Sequence, residues 1–127
     1  MPRSPKVRLT RLELQLMDHL WDLGEASVRE VQEAIPETSR PAYTTVQTIL
    51  GRLEEKGAIR KSRKVGNAFL FVPAISRKST YRRLVADLVE TLGGSQHVVS
   101  HLVESGHLTL EDLKALERTL AGKREDS

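Results

Sequence analysis

Residues 42–72, AYTTVQTILGRLEEKGAIRKSRKVGNAFLFV, combine a helical pattern and a hairpin pattern in one short stretch. The first half has apolar residues at helical spacing, namely Val46, Ile49, Leu50 and Leu53. This spacing predicts an amphipathic helix over about residues 42–56. Two short segments, 58–61 and 68–72, then flank a Gly-Asn turn, which predicts a two-stranded antiparallel hairpin.

Two more helices are predicted before this stretch. The Ser/Thr-x-x-Glu spacing of a capping box occurs at residues 10–13 and again at 27–30, and each occurrence indicates a helix start. The first helix is predicted over residues 10–23. The second is predicted from Ser27 to about Ile35, before Pro36. The inward stripe expected for the first helix is Leu9, Leu12, Leu16, Leu20 and Leu23. The order helix, helix, helix, hairpin is typical of a winged helix-turn-helix.

The outward face of the predicted third helix has an unusual composition. By the helical period it consists of Thr44, Thr45, Gln47, Thr48, Gly51 and Arg52. An ordinary exposed face is rich in Glu and Lys, whereas this face has no acid before Glu54. Small residues permit close approach to a major groove, Gln and Arg can bind base edges, and Thr methyl groups can contact thymine. We therefore interpret the face as a DNA-reading surface, with the helix N-terminus directed at phosphate.

Basic residues are concentrated around this helix, although the formal net charge is only +3. The first acid of the chain is preceded by Arg3, Lys6, Arg8 and Arg11. Between Glu55 and Asp87 there are nine basic residues and no acid. Such a run attracts a polyanion, although a solvated charged face is the simpler interpretation. The hairpin cations are Lys61, Arg63 and Lys64. In a winged helix, such cations would lie along the DNA backbone or enter the minor groove.

Residues 76–127 differ in character from the first part of the chain. They predict three short amphipathic helices, over about 76–93, 95–105 and from Thr109 onward. These helices have more apolar surface than they can bury among themselves, so we expect them to pack against a second copy of the chain. The residues assigned to that interface are Leu84, Leu88, Leu92, Val99, Leu102, Val103, Leu113, Leu116 and Leu120.

The predicted fold class is mainly α with a small β-hairpin. We expect a winged-helix DNA-binding domain over residues 1–75 and a helical dimerisation domain over residues 76–127. Double-stranded DNA and a second copy of the chain are the partners that this organisation implies.

Composition excludes several other classes of protein. The 127 residues include no cysteine, which excludes a disulfide framework and a thiolate metal site and suits a reducing compartment. Apolar stretches are only a few residues long, whereas a membrane span needs about 20. The basic N-terminus leads into no signal-peptide core. We expect a cytoplasmic protein without membrane insertion or cofactor. No catalytic motif occurs, so we do not expect an enzyme.

Two alternatives remain open on the residues alone. A winged helix can be a protein-interaction adaptor without sequence-specific DNA binding, and the leucine-rich C-terminal part would then pair with a different chain. Separately, His97, His101 and Glu104 lie at i, i+4 and i+7, a spacing that can hold zinc but that also arises by chance on a polar helix face.

The chain resembles the penicillinase-repressor family, with its BlaI, MecI and copper-responsive CopY branches. The resemblance rests on LTRLELQLMDHLW from Leu9, on AYTTVQTILGRLEEKGAI from Ala42, and on the basic hairpin; it covers about residues 8–121. It implies a dimeric bacterial repressor with a winged-helix domain and a C-terminal dimerisation domain. It also implies a set of recognition-helix residues: Tyr43, Thr44, Thr45, Gln47, Thr48 and Arg52.

Two departures from the family pattern bear on regulation. The copper-responsive branch has a C-terminal cysteine cluster, and this chain has no cysteine, so metal sensing through thiolates is excluded. In the β-lactam branch a membrane sensor-protease system causes cleavage of an Asn–Phe bond in the dimerisation domain. Alignment of the short helix brings His101–Leu102 to that position, with an apolar residue after the bond but no Asn before it. The resemblance thus implies proteolytic induction at His101–Leu102.

Overall fold

The computed structural model describes residues 7–126, without the side chains of Leu113, Leu116 and Leu120 or of residues 123–126. Six helices and one hairpin follow one another along these residues: α1 (Arg11–Leu23), α2 (Val28–Ala34), α3 (Tyr43–Glu55), β1 (Ile59–Val65), β2 (Ala68–Pro73), α4 (Arg77–Thr91), α5 (Ser95–Glu104) and α6 (Leu110–Asp126). A short 3-10 turn, Glu37–Ser39, lies between α2 and α3. This order confirms the predicted winged helix-turn-helix with a helical C-terminal part.

Local capping interactions begin the first two helices, as their sequence pattern predicts. The Thr10 side chain accepts from the Glu13 backbone N–H, and the Glu13 carboxylate accepts from the Thr10 N–H, which makes a complete capping box. Ser27 and Glu30 form the same reciprocal pair at α2. At the other end of α1, Gly24 has φ of 80°, a left-handed conformation that favours glycine.

The first compact unit ends at Thr80, and its core lies between α1, α2, α3 and the hairpin. The buried face of α3 is the predicted one, formed by Val46, Ile49, Leu50 and Leu53. The rest of the core consists of Leu16, Met17, Leu20, Ala26, Val31, Ile35, Ala58, Ile59 and Phe71. Burial of this one face of α3 leaves its opposite face to solvent.

The stripe predicted for α1 is wider than the surface that the core covers. Leu16 and Leu20 are fully buried, but Leu12 is 40% exposed and Leu23 is 45% exposed. The place next to Leu12 in the core is taken by Glu13, which is only 2% exposed. The inward assignment of Leu12 and Leu23 is therefore wrong, because periodicity defines a face but not how much of it a small core can cover.

Glu13 joins α1 to the C-terminal end of α3. Its Oε1 atom lies 2.6 Å from Lys56 Nζ and accepts from the Thr10 N–H at 2.7 Å. Lys56 also donates to the Arg8 carbonyl at 2.9 Å. Burial raises the pKa of the Glu13 carboxyl, but the hydrogen bonds from Lys56 and Thr10 and the charge of Lys56 outweigh this effect, and the pKa is lowered overall.

The hairpin pairs β1 with β2 in antiparallel register, and a β-bulge interrupts the register in β1. Lys61 pairs with Phe71 and Arg63 pairs with Leu70, so Ser62 is the extra residue. On the other side of β2, Ala26 exchanges two backbone hydrogen bonds with Phe71, at 3.0 and 2.8 Å. The hairpin is thereby attached to the loop between α1 and α2.

The start of α4 is fastened to α1 within the first unit. Arg77 donates to the Asp18 carbonyl and to Asp22 Oδ1, both at 2.8 Å, and its guanidinium lies 5.3 Å from the centre of the Trp21 ring. Trp21 Nε1 donates to the Ile75 carbonyl at 2.9 Å. These contacts define where the C-terminal helices leave the winged helix.

The second unit begins at Tyr81 and contains the rest of α4 with α5 and α6. At the start of α6, Thr109 and Asp112 cap each other's backbone N–H groups, at 3.0 and 3.2 Å, as the predicted helix start requires. No residue of α4 or α5 is fully buried. No helix in the described range is long and apolar enough to cross a bilayer.

Candidate nucleic-acid interface

The outward face of α3 has the composition that the sequence predicts. Its side chains are exposed to solvent: Tyr43, Thr44, Thr45, Gln47, Thr48 and Arg52. Gly51 lies among them and adds no side chain, and a Cβ built there meets no atom within 4 Å. The first turn of the helix contains no acid. The face is therefore an open polar surface without an acidic group until Glu54 and Glu55 near its end.

Thr48 presents its methyl group more freely than its hydroxyl. The hydroxyl donates to the Thr44 carbonyl one turn earlier, at 2.9 Å, which is the usual local bond of a helical threonine. Its proton is thus already used inside the helix. What the side chain offers a ligand is an apolar methyl group and the lone pairs of the hydroxyl oxygen, which can only accept.

Two shallow grooves flank this face. On one side, a groove of about 280 Å³ is lined by Leu12, Thr44, Thr45, Thr48, Ile49 and Arg52. On the other side, a groove of about 530 Å³ separates α3 from the hairpin. The second groove contains Tyr43 and Gln47 from α3, Lys61 and Phe69 from the hairpin, and Arg29 from α2. The structure therefore brings most of the predicted DNA-binding residues to one surface.

Arg29 adds a cation to this surface that the sequence argument did not single out. Its guanidinium lies 5.9 Å from the centre of the Tyr43 ring, within cation–π range. The contact joins the start of α2 to the start of α3. Arg29 and Tyr43 are 14 residues apart and lie in different helices, so helical periodicity does not predict their contact.

The hairpin cations have more definite positions than a flexible loop would give them. The Lys61 ammonium lies 4.5 Å and the Lys64 ammonium 5.3 Å from the centre of the same ring, that of Phe69. Phe69 is 44% exposed. Lys61 also lies 3.9 Å from Glu54 Oε1 of α3, a long and exposed pair of little energetic weight. Two lysines and one aromatic ring thus form a compact basic cluster.

Arg63 has a different environment from Lys61 and Lys64. Its Nη2 and Nε atoms donate to Glu25 Oε1 at 2.8 and 3.1 Å, and Ser62 Oγ donates to Glu25 Oε2 at 2.7 Å. Hydrogen bonds from Arg63 and Ser62 lower the pKa of the Glu25 carboxyl. The hydrogen bonding between Arg63 and Glu25, together with the charge of Glu25, raises the pKa of the Arg63 guanidinium. The structure therefore places Arg63 in an ion pair, apart from the lysine cluster.

The acid-free run of the sequence is partly neutralised in space. Lys56 is bound to Glu13, and Arg77 is bound to Asp18 and Asp22. Arg8, one of the basic residues before the first acid, is a further DNA-contacting residue that the sequence predicts. Its side chain is exposed, and its carbonyl accepts a hydrogen bond from Lys56 at the C-terminal end of α3. Because Lys56 and Arg77 are paired with acids, the surface that could attract a polyanion contains fewer cations than the sequence between Glu55 and Asp87 does.

Sequence reasoning missed Phe69 and Glu25, for different reasons. A two-residue Gly66-Asn67 turn pairs Lys64 with Phe69, and this pairing could have been worked out from the hairpin alone. Glu25 lies 38 residues from Arg63, and no local pattern connects the two positions.

The residues assigned to the C-terminal interface lie in α4, α5 and α6, apart from Leu92, which directly follows α4. Those before α6 are exposed or half-buried. Leu113, Leu116 and Leu120 lie outside the described side chains. His101 is exposed and Leu102 half-buried, both inside α5. Among the side chains that the structure describes, no three His, Asp or Glu groups come together as a metal site.

The fold and the α3 surface define a winged-helix protein of the DNA-binding class. The family model described as penicillinase repressor matches residues 9–122. The transcriptional regulator BlaI of Mycobacterium tuberculosis is 36% identical over 118 residues, which cover 90% of this chain and 83% of that protein. The penicillinase repressor of Bacillus licheniformis is 25% identical over 115 residues, 89% of each chain.

A solved structure agrees with these sequence relatives. The solution structure of the DNA-binding domain of the repressor BlaI matches with a TM-score of 0.50 and 31% identity, over 61% of this chain and 90% of that chain. The chain belongs to the penicillinase-repressor family of transcriptional regulators, and the predicted family resemblance is confirmed.

Proposed function

We propose that this chain is a homodimeric repressor that binds a palindromic DNA operator through α3 of each subunit. The observation that carries the proposal is the exposed face of α3, which is polar and has no acid before Glu54, on a helix whose opposite face is the core. Family membership supports it, since the matched relatives are named as regulators and repressors.

Within this proposal, the α3 residues and the hairpin cations have different tasks. Gln47 lies at mid-helix, where a helix in a major groove is nearest the base edges, and Gln can bind adenine with two hydrogen bonds. Thr48 offers its methyl group to thymine. Lys61 and Lys64 neutralise phosphate, which strengthens binding to any sequence.

The exposed apolar side chains of the second unit support the dimer. Leu84 and Leu88 of α4, and Leu92 directly after its end, recur every four residues and are 37%, 48% and 44% exposed. Val99 and Val103 of α5 are 45% and 48% exposed. A continuous apolar stripe of this kind is ordinarily covered by a partner. We assign residues 76–122 to the dimer interface and the region before them to DNA binding.

Two-fold symmetry then has a consequence for the operator. A dimer with one recognition helix per subunit binds two inverted half-sites, whose centres lie one or more helical turns, about 10 bp each, apart. We also propose that cleavage at His101–Leu102, downstream of a membrane sensor-protease, relieves repression by removing part of the dimer interface.

The experiment is selection of duplexes from a random pool by the full-length chain, followed by footprinting. The proposal predicts enrichment of an inverted repeat and protection of both halves. A single unrepeated site would contradict the dimeric arrangement. An adaptor without sequence-specific binding would enrich no sequence and would release DNA above roughly 100 mM salt, because only counterion release would hold it.

A further inference from the structure

We propose that Glu25 is a positioning residue of the hairpin, and that Arg63 acts through Glu25 rather than by contacting DNA. The inference rests on the proposed DNA-binding function and concerns how that surface is shaped.

The bulge decides which cations share a face of the hairpin. Side chains alternate along a regular strand, so residues 61 and 64, three positions apart, would point to opposite faces. One extra residue in β1 reverses the alternation after it. Lys61 then pairs with Phe71 and Lys64 with Phe69, and both ammonium groups lie over the Phe69 ring. Without the bulge, Arg63 would take the place of Lys64 on this face.

Glu25 holds both residues at the bulge. Ser62 Oγ donates to one carboxylate oxygen at 2.7 Å, and Arg63 Nη2 donates to the other at 2.8 Å. The neighbouring Ala26 is bonded to Phe71 of β2 at 2.8 and 3.0 Å. The carboxylate therefore connects the bulge of β1 to a loop that is itself attached to β2. Such a connection favours the bulged register over the regular one.

Because Glu25 is an acid, the direction in which DNA affinity changes when Glu25 is neutralised tests the proposal. Removal of an acid near a DNA-binding surface ordinarily strengthens binding, because repulsion of phosphate is lost. If Glu25 positions the lysines, Glu25→Gln weakens binding instead. We expect a loss of about threefold to tenfold on the selected duplex, in the lower part of the range of coupling between contacting side chains. The matched control is Glu33→Gln, an exposed acid of α2, for which we expect no loss.

A second readout separates positioning from direct contact. A lost phosphate contact lowers the slope of log K against log salt by about one. We expect Lys64→Ala to lower it in this way. Arg63→Ala should leave it unchanged, because Ser62 still donates to Glu25 and keeps the bulge, and with it Lys64, in place. Glu25→Gln should lower the slope although it makes the protein more positive, because the displaced Lys64 no longer reaches phosphate.

The experiment is fluorescence anisotropy of the full-length variants on the selected and a scrambled duplex across a salt series. Circular dichroism verifies that each variant is folded, and the charge swap Glu25→Arg with Arg63→Glu should regain part of the affinity that Arg63→Glu alone loses. Tighter binding by Glu25→Gln, or a slope lowered by Arg63→Ala, overturns the inference. If the wild-type chain prefers no sequence, the proposed function fails, while the slopes on the scrambled duplex still decide the role of Glu25.

Discussion

Glu13 illustrates how a single charged residue becomes part of a core. The capping box brings its carboxylate to the start of α1, and Lys56 neutralises it from the end of α3. A buried carboxylate without these partners would be strongly destabilising. The pair thus fixes the C-terminal end of α3 against α1, which helps to hold the α3 surface in one orientation.

This pair has a consequence for stability at acid pH. The folded-state pKa of Glu13 lies below its ordinary value of 4.5, so its contribution is present above about pH 4.5 and is lost as the pH falls through the folded-state pKa. We expect Glu13→Gln to lower the free energy of unfolding by about 1.5 to 3 kcal/mol at pH 7, the range for a hydrogen bond to a charged group.

Urea denaturation followed by Trp21 fluorescence at pH 7 and at pH 3 measures both effects. The loss of stability between the two pH values should be smaller in Glu13→Gln than in the wild type. Glu55→Gln, an exposed acid of α3, is the control. Equal stability of Glu13→Gln and wild type at pH 7 would count against the role assigned to the pair.

The hydrogen bond within α3 leads to a prediction about which group of Thr48, the methyl or the hydroxyl, contributes to DNA recognition. Its hydroxyl proton is used by the Thr44 carbonyl, so recognition of thymine would depend on the methyl group. We expect Thr48→Val to keep affinity for the selected duplex, and Thr48→Ser to lose about 1 kcal/mol, near the value of one buried methyl group. Anisotropy on the selected duplex measures both, and the opposite order would assign recognition to the hydroxyl.

Among the elements, those governed by local chemistry could be predicted and those governed by distant contacts could not. The starts of α1 and α2 follow from residues three apart, and the buried face of α3 follows from its period. The common face of Lys61 and Lys64 depends on one bulged residue, and the neutralisation of Arg63 depends on an acid 38 positions away. Neither the bulge nor the Arg63–Glu25 ion pair has a signature in the neighbouring sequence. The site residues could therefore be proposed from the sequence, but a separate role for each of them could not.

Helix α5 supports a prediction about induction. The bond between His101 and Leu102 lies inside this helix, so its cleavage would separate α6 from the stripe on α4. We expect a variant with a site-specific protease sequence inserted at that bond to become monomeric when cut, and to release the selected duplex. Sedimentation and anisotropy before and after cutting provide the measurement. A cut chain that stays dimeric and bound would exclude this route of induction.

For the whole molecule, the proposed function requires that the α3 helices of two subunits act together. A single winged helix of this size offers few base contacts, and linking two of them raises the overall affinity through effective concentration. The apolar stripe on α4 and the polar surface on α3 lie in different units. Dimerisation and DNA reading can therefore be altered separately by mutation.

Substitution of Leu88 tests the dimer against a closely matched control. Leu88 is 48% exposed in the second unit and Leu23 is 45% exposed at the end of α1. Leu88→Asp would bury an unpaired charge in the proposed interface, at a cost of several kcal/mol, and should yield monomers in sedimentation at micromolar concentration. Leu23→Asp should leave the mass unchanged. A monomeric wild-type chain would refute the dimer directly.

The most direct test of the account compares Gln47→Ala with Lys64→Ala by fluorescence anisotropy on selected and scrambled duplexes over a salt series. Gln47→Ala should lose about 1 to 3 kcal/mol on the selected duplex and little on the scrambled one, because a base contact is lost. Lys64→Ala should weaken both duplexes by similar factors and lower the salt slope by about one. Loss of sequence preference in Lys64→Ala with preference kept in Gln47→Ala would contradict the account and make the hairpin, not α3, the element that reads sequence.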